Sequence, residues 1–342
     1  MKSKRPTQAD VARRAGVSRG TVSLVLNQTE YRVPISTETR ERVVAAAQEL
    51  GYMPNPVAQM LVRGTTRILG FYSFEETFPY SSEDFYYPYL MGIEREATNQ
   101  DYNVLLFTRK LAELTQNGYS DGMSSFRLAD GSILVGNYPN PIILEALLKE
   151  GLPLVLIGRS TFPTNVIDTI VNDHRPCSYA ATRHLIDLGH RQLGFIVDDL
   201  NLAYHKERLF GVRKAIDEAA GAKLTILSRE ELSSLENFRQ ALRRNEISAL
   251  LCADRKLFTP MIEVLQKLAL RIPQDLSLVF LVINTWNMPF TTPTYVKLNR
   301  GIKGKVAVER LVQRIAGTLD GHEQIQVPCE FVIGNTTAAF TR

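Results

Sequence analysis

Arg19 is the residue of this chain best suited to reading a base. It follows Ser18, at the start of a stretch in which Val22, Val25 and Leu26 recur at helical spacing. A guanidinium in the first turn of such a helix can grip guanine O6 and N7 together, worth about 1–3 kcal/mol of discrimination. Gly20 beside it cannot read a base and permits a close backbone approach. The hydroxyls of Thr7, Ser18, Thr21, Ser23 and Ser36, with the amide of Asn27, suit phosphate or base contacts. The same residue types also cap helices, so both roles stand open for them.

Several elements must position these groups. Thr7 opens a helix with Asp10 three residues on, Val11, Ala12 and Ala15 form its apolar face, and Gly16 stops it. A Gly-Val-Ser turn leads to the second helix, which ends at Asn27. Two short helices across so tight a turn make a helix-turn-helix, whose second helix enters the major groove. A polar loop containing Pro34 precedes a third helix, opened by Ser36 or Thr37, with Val43, Ala47 and Leu50 on one face. Further on, Asn55 as N-cap and Pro56 at the first helical position start two turns of helix over Val57–Arg63. A helix that short needs a partner surface, such as its twin in a dimer with DNA beneath. Leu61 then sits where an apolar wedge could enter the minor groove. The alternative is a plain linker helix with Leu61 packed in an interface.

From Ile68 onward, short apolar runs alternate with amphipathic stretches. The runs are Ile68–Phe71, Val104–Phe107, Ser132–Val135, Leu154–Ile157, Leu193–Val197, Ala249–Cys252 and Leu278–Ile283; the helical stretches fall at 88–100, 141–150, 176–188, 206–220, 235–245, 259–270 and 302–316. Such alternation predicts doubly wound α/β layers with parallel sheets. The loop from Phe74 to Tyr89 carries Phe78, Tyr80, Phe85, Tyr86 and Tyr87 as well. Following the first strand, it would border a cleft, where Phe85 and Tyr87 could stack a sugar or another ring; equally, it could pack against a sister subunit.

The stretch Thr7-Gln-Ala-Asp-Val-Ala-Arg-Arg-Ala-Gly-Val-Ser18, with Thr21-Val-Ser23 and Asn27, resembles the head of the lactose-repressor (LacI/GalR) family. So do Thr39-Arg-Glu-Arg-Val43, Leu50-Gly-Tyr52 and Pro54-Asn55 with Ala58 and Leu61. A weaker likeness extends over the body in Leu185-x-x-Leu-Gly-His-Arg191, Arg208-x-x-Gly211 and Ile272-Pro-x-Asp-Leu-Ser277. The resemblance implies a repressor that binds a pseudo-palindromic double-stranded DNA operator as a homodimer. A small-molecule effector, a sugar or sugar derivative, would control it from the cleft of a periplasmic-binding-protein-like sensor of two subdomains. It adds Thr39, Tyr52, Asn55, Ala58 and Gln59 to the DNA contacts and assigns Leu61 to the minor-groove lever.

The expected layout is a helix-turn-helix domain over 1–53, a hinge helix over 54–66 and a sensor over 67–342. The sensor's N-subdomain would take 67–168 and 299–328, its C-subdomain 169–298 and 329–342. Arg208 takes the position where the family holds a sugar hydroxyl; Arg159, Asp254 and Asn284 fall at other pocket positions whose residue types have changed. Gly158-Arg159, Asp254-Arg255 and Phe280-Leu-Val-Ile-Asn284 replace the family's usual acids and amides. A charged, phosphorylated or aromatic-stacked ligand would suit Arg159, Arg208 and Arg255 better than a plain hexose. Leu24 stands where Arg is frequent, which removes one base contact.

Charge agrees with a polyanion partner for the head. Residues 1–67 carry 11 Lys and Arg against 5 Asp and Glu, while the rest carry 29 against 31, so a head of +6 joins a body of −2. No apolar stretch long enough for a membrane span and no secretory signal is present, so a cytoplasmic location without membrane partners is expected. The three cysteines lie far apart with no metal spacing, the five histidines do not pair, and no GxGxxG, GxxxxGK[ST], HExxH or GxSxG pattern occurs. Neither a cofactor, a metal nor catalysis is expected. The rival reading is a cytosolic solute-binding module or enzyme with an interaction head, which the capped basic head and the hinge argue against.

Overall fold

A computed structural model describes residues 6–27, 35–54, 64–74, 86–108, 125–136, 141–159, 163, 166–283 and 289–341. The chain falls into two units, Met1–Thr66 and Arg67–Arg342.

The first unit is a helical head of α1 (Gln8–Ala15), α2 (Arg19–Asn27) and α3 (Thr37–Glu49). Gly16 ends α1 in the left-handed conformation, with φ 66°. One face of each helix meets in a small core of Val11, Ala12, Ala15, Val22, Val25, Val43, Ala46 and Ala47. Val17, Leu26, Leu50 and Tyr52 close its edges.

The second unit contains two lobes of the same design. In the N-lobe, β1 (Ile68–Ser73), β2 (Asn103–Phe107), β3 (Gly131–Val135), β4 (Leu154–Ile157), β5 (Asp168–Asp173) and β11 (Gln324–Pro328) form a parallel sheet in the order β11-β5-β4-β3-β1-β2. Helices α4 (Tyr87–Asn99), α5 (Pro141–Lys149) and α11 (Arg300–Ile315) cover it.

The C-lobe repeats the plan. Its strands β6 (Gln192–Ile196), β7 (Lys223–Leu227), β8 (Ala249–Cys252), β9 (Ser277–Phe280), β10 (Thr294–Lys297) and β12 (Glu330–Val332) run in the order β12-β10-β9-β8-β6-β7, with β12 alone antiparallel. Helices α6 (His174–Asp187) and α7 (Ala203–Asp217) lie on one face. On the other are α8 (Arg229–Leu232), α9 (Leu235–Arg244) and α10 (Phe258–Lys267). Continuous apolar runs in the central strands fit a parallel sheet buried on both sides.

Every apolar run expected as a strand forms one. Five strands lack such a run: β7, β11 and β12 are sheet edges, and β5 and β10 lie next to edges. The edge strands β7, β11 and β12 bury less of their surface, so polar residues such as Lys223 and Gln324 are tolerated in them, whereas β5 is buried over residues 168–171 and opens on a carboxylate that Arg310 and Arg314 pair. The chain crosses between the lobes three times, at Asp173/His174, at Leu298/Asn299 and at Cys329. The first crossing falls later than the expected 168, because Asp168–Asp173 pairs with β4 and β11 inside the N-lobe sheet.

Candidate functional site

Capping fixes the start of each head helix. The Asp10 carboxylate accepts from the Thr7 N–H at 3.0 Å and from its hydroxyl at 2.7 Å. Ser18 Oγ accepts from the Thr21 N–H and meets Thr21 Oγ1, both at 3.0 Å. Ser36 Oγ accepts from the Thr39 N–H at 3.3 Å while its hydroxyl donates to Thr39 Oγ1 at 2.9 Å. These hydroxyls therefore do cap. Capping leaves lone pairs over, and Thr7, Ser18 and Ser36 remain exposed.

The fold brings the start of α1 against the first turn of α2. Thr7, Gln8, Ala9, Arg19, Gly20 and Ser23 line one open groove. Arg19 is exposed, and among the described residues it has no hydrogen-bond or ion-pair partner. Among the described residues nothing in the head requires glycine at 20, since an added Cβ would meet only Ser18 Oγ at an ordinary 3.5 Å. Tyr52 is half-buried against the head core, and Asn27 is the last residue of α2. Asn55, Ala58, Gln59 and Leu61 lie outside the described residues.

Between the lobes of the second unit lies a cavity of about 320 Å³. Its N-lobe wall includes Tyr86, Tyr89, Arg159, Asn172 and Lys303; its C-lobe wall includes His174, Tyr204, His205, Arg208 and Asp254. Glycines let the helices bearing these groups come close. A Cβ on Gly304 would strike the Tyr89 carbonyl oxygen, so α4 and α11 touch backbone to backbone. Gly211 does the same for α6 and α7, one turn beyond Arg208.

Arg208 is buried, at 4% exposure. Its guanidinium donates to the Ala253 carbonyl at 2.5 Å and to His174 Nδ1 at 3.4 Å, and lies 5.4 Å from the centre of the Tyr204 ring. Burial brings its pKa down to about 10. Burial, with the charges of Arg208, Lys303 and Arg159, holds His174 well below the ordinary histidine value, so its imidazole is neutral and can accept from Arg208. Burial likewise depresses His205. Its Nδ1 lies 2.6 Å from the Asp199 carbonyl and must carry the proton, which leaves Nε2 as an acceptor. Among the described residues that Nε2 has no hydrogen-bond partner, and Asp254 Oδ2 is 3.5 Å away. The other Asp254 oxygen caps the following turn, accepting from the Lys256 N–H at 2.8 Å.

Arg159 reaches across the lobes to Glu207 on α7 at 2.6 Å. It lines the cavity, but its charge is already neutralised there. Arg255 is exposed at the margin. Tyr87 does not line the cavity; it faces an outer groove with Pro88, Met91 and Ile302. The reason is helical: Tyr86 and Tyr89 are three apart and share the inward face, while Tyr87 is turned about 100° from Tyr86. Phe85 and Asn284 lie outside the described residues.

Lys303, His174, His205, Tyr204 and Asn172 were not singled out by sequence reasoning. For Lys303 a signal existed: it lies on the stripe of Gly304, Ala307, Val308 and Leu311, where a charge on an apolar face calls for explanation. Among the described residues no cluster of three His, Cys, Asp or Glu could hold a metal, and no helix is long and apolar enough to cross a membrane.

Comparison with known proteins places both units. Residues 7–55 match the family model for bacterial regulatory proteins of the lacI family. Residues 182–337 match the periplasmic binding protein-like domain. The HTH-type transcriptional repressor PurR of Haemophilus influenzae is 27% identical, over 96% of this chain and 97% of its own length. PurR of Escherichia coli is 28% identical, over 94% of each chain. In fold, the chain is similar to the Lac repressor dimer bound to operator and the anti-inducer ONPF, with a TM-score of 0.72 at 24% identity, covering 98% of this chain and 100% of that one. It is also similar to the regulator CelR in complex with cellobiose, with a TM-score of 0.65 at 24% identity, covering 97% of this chain and 100% of that one.

Proposed function

We propose that the chain is a regulator of the lacI family, whose model its residues 7–55 match, and that it represses transcription in the cytoplasm as a homodimer on a pseudo-palindromic operator, released or engaged by a small-molecule effector. Its activity is sequence-specific DNA binding, not catalysis. The observation that carries the reading is the head groove, where unpaired Arg19 stands exposed beside Gly20 and the capped start of α1. Arg19 reads a base there, while Thr7, Ser18, Thr21, Ser23, Asn27, Ser36, Thr39 and Tyr52 set the head on the phosphates. Residues 54–66 act as the hinge, with Asn55, Ala58, Gln59 and Leu61 over the minor groove. The effector, a sugar or sugar derivative, occupies the cavity against Arg208 and Asp254. It changes DNA affinity by changing how the two lobes, and through them the two hinges, meet.

Selection of random duplexes on the purified full-length protein, at fixed salt, tests this. A two-fold symmetric site with a deformable central step is expected. Binding that ignores sequence, both alone and with a metabolite pool, would overturn it.

A further inference from the structure

Two buried cations face the cavity from opposite lobes. Lys303, 3% exposed, comes from α11 of the N-lobe, and Arg208 from α7 of the C-lobe. The Lys303 ammonium lies 5.0 Å from the centre of the Tyr89 ring. Among the described residues neither cation has an ion-pair partner. Buried charges are ordinarily paired, because desolvation without a partner is costly. Of the carboxylates beside the cavity among the described residues, Glu207 serves Arg159, and Asp254 caps the turn at Lys256 with one oxygen and stands 3.5 Å from His205 Nε2 with the other, so neither is ion-paired to Lys303 or Arg208.

The neutral groups beside them are acceptors. Asn172 Oδ1 and His205 Nε2 are buried, line the same cavity and have no hydrogen-bond partner among the described residues. An acceptor is satisfied by a hydroxyl that donates. Tyr86, Tyr89 and Tyr204 supply faces on which a ring can lie.

We propose that the interlobe cavity binds a hydroxylated organic anion, a sugar phosphate or sugar acid, whose anionic group bridges Lys303 and Arg208 and whose hydroxyls donate to Asn172 and His205. The proposal rests on the effector reading above and adds the ligand's charge and the residues that select it. Because one cation belongs to each lobe, the anion links the lobes directly, and binding and closure become one event. The expectation that Arg159 and Arg255 hold the charge gives way: one is neutralised by Glu207 and the other is exposed.

Thermal melts of the full-length protein test it, with inorganic phosphate titrated against chloride at matched ionic strength, then glucose 6-phosphate, gluconate and glucose. Wild type should show a saturable rise in Tm with phosphate and a stronger one with at least one of the two organic anions; whether it is the phosphate ester or the carboxylate identifies the anionic group. Lys303→Met should weaken anion binding at least tenfold. Without anion its Tm should hold or rise, since an unpaired buried charge is gone, whereas a purely structural lysine would lower it. Lys305→Met, on the exposed side of α11, should keep the wild-type anion response. Full anion binding by Lys303→Met, no saturable response by wild type, or equal response to glucose would each overturn the proposal. A protein that selects a symmetric operator yet ignores these anions keeps the regulatory reading and loses this one. One that binds anions and no DNA does the reverse.

Discussion

At the scale of single residues, the head and the cavity solve opposite problems. Arg19 is left in solvent with nothing to hold it, so its full hydrogen-bonding capacity is available to a base edge. Arg19→Ala should weaken binding at one operator position by about 1–3 kcal/mol, with the other positions little affected. Operator variants assayed base by base check this, and a uniform loss would show that Arg19 contacts phosphate instead. Arg208 is the reverse, a guanidinium held by a carbonyl, an imidazole and an aromatic ring before any ligand arrives. Preorganisation of that kind lowers the ordering cost of binding. Leu61, outside the described residues, carries its own test. Leu61→Gly should reduce operator bending, read by electrophoretic phasing, and unchanged bending would remove the wedge.

At the scale of elements, close helix packing positions the cavity, and one buried ionic knot holds the N-lobe together. Helices α4 and α11 meet through Gly92, Gly301 and Gly304, and this contact sets Tyr89 and Lys303 at the wall. Gly304→Ala should force the two backbones apart, lowering stability by about 1–3 kcal/mol and weakening ligand binding; an unchanged urea midpoint would show that the helices yield freely.

The knot is Asp168, fully buried at the start of β5. It accepts from Arg310 at 3.0 Å, from Arg314 at 2.5 Å and from the Glu323 N–H at 3.0 Å, with His322 at 3.2 Å. Burial pushes its carboxyl up, but those hydrogen bonds outweigh burial and hold it below the usual range. The knot ties α11 and the approach to β11 to the start of β5, at the opposite end of these strands from the crossings at Asp173/His174 and Cys329. Asp168→Ala leaves Arg314 with only the Leu319 and Gly321 carbonyls while Arg310 keeps Glu323, and should cost about 3 kcal/mol, read as a fall in the denaturation midpoint. Asp168→Asn, which keeps the shape and loses the charge, should cost less.

At the scale of the whole molecule, burial gives the body an acid limit. His174, His184, His190 and His205 all have pKa values held below the ordinary 6.5, burial being the first cause in each. Unfolding lets each take a proton near that ordinary value, so the unfolded state binds more protons than the folded state just below it. Stability contributed by the neutral rings is complete above about pH 6.5 and falls as pH drops below it. Melts from pH 7.5 to 5.5 should show a falling Tm, and a flat profile would contradict this account of their burial. The charge division, a +6 head on a −2 body, predicts DNA affinity that drops steeply with salt.

Much of this is local and therefore legible in the chain itself. The three head helices follow from Thr7, Gly16, Ser18 and Ser36 at their ends and apolar residues at helical spacing between them. The central strands follow from unbroken apolar runs, because a strand buried on both faces admits little else. The exposed place of Arg19 in the first turn of α2 follows from its position just after a cap. Other features depend on residues distant in sequence. β5 is a strand because β4 and β11 flank it, and Tyr87 turns away from the cavity that Tyr86 and Tyr89 face. Arg159 is neutralised by Glu207, a helix of the other lobe. Lys303 and Arg208 come to one cavity only because α11 returns the chain to the N-lobe after the C-lobe is built. The residue types and their periodicity determined the elements and the three-helix head; which charges remain unpaired in the cleft was decided by the two lobes meeting, since desolvation and pairing are properties of the packed molecule.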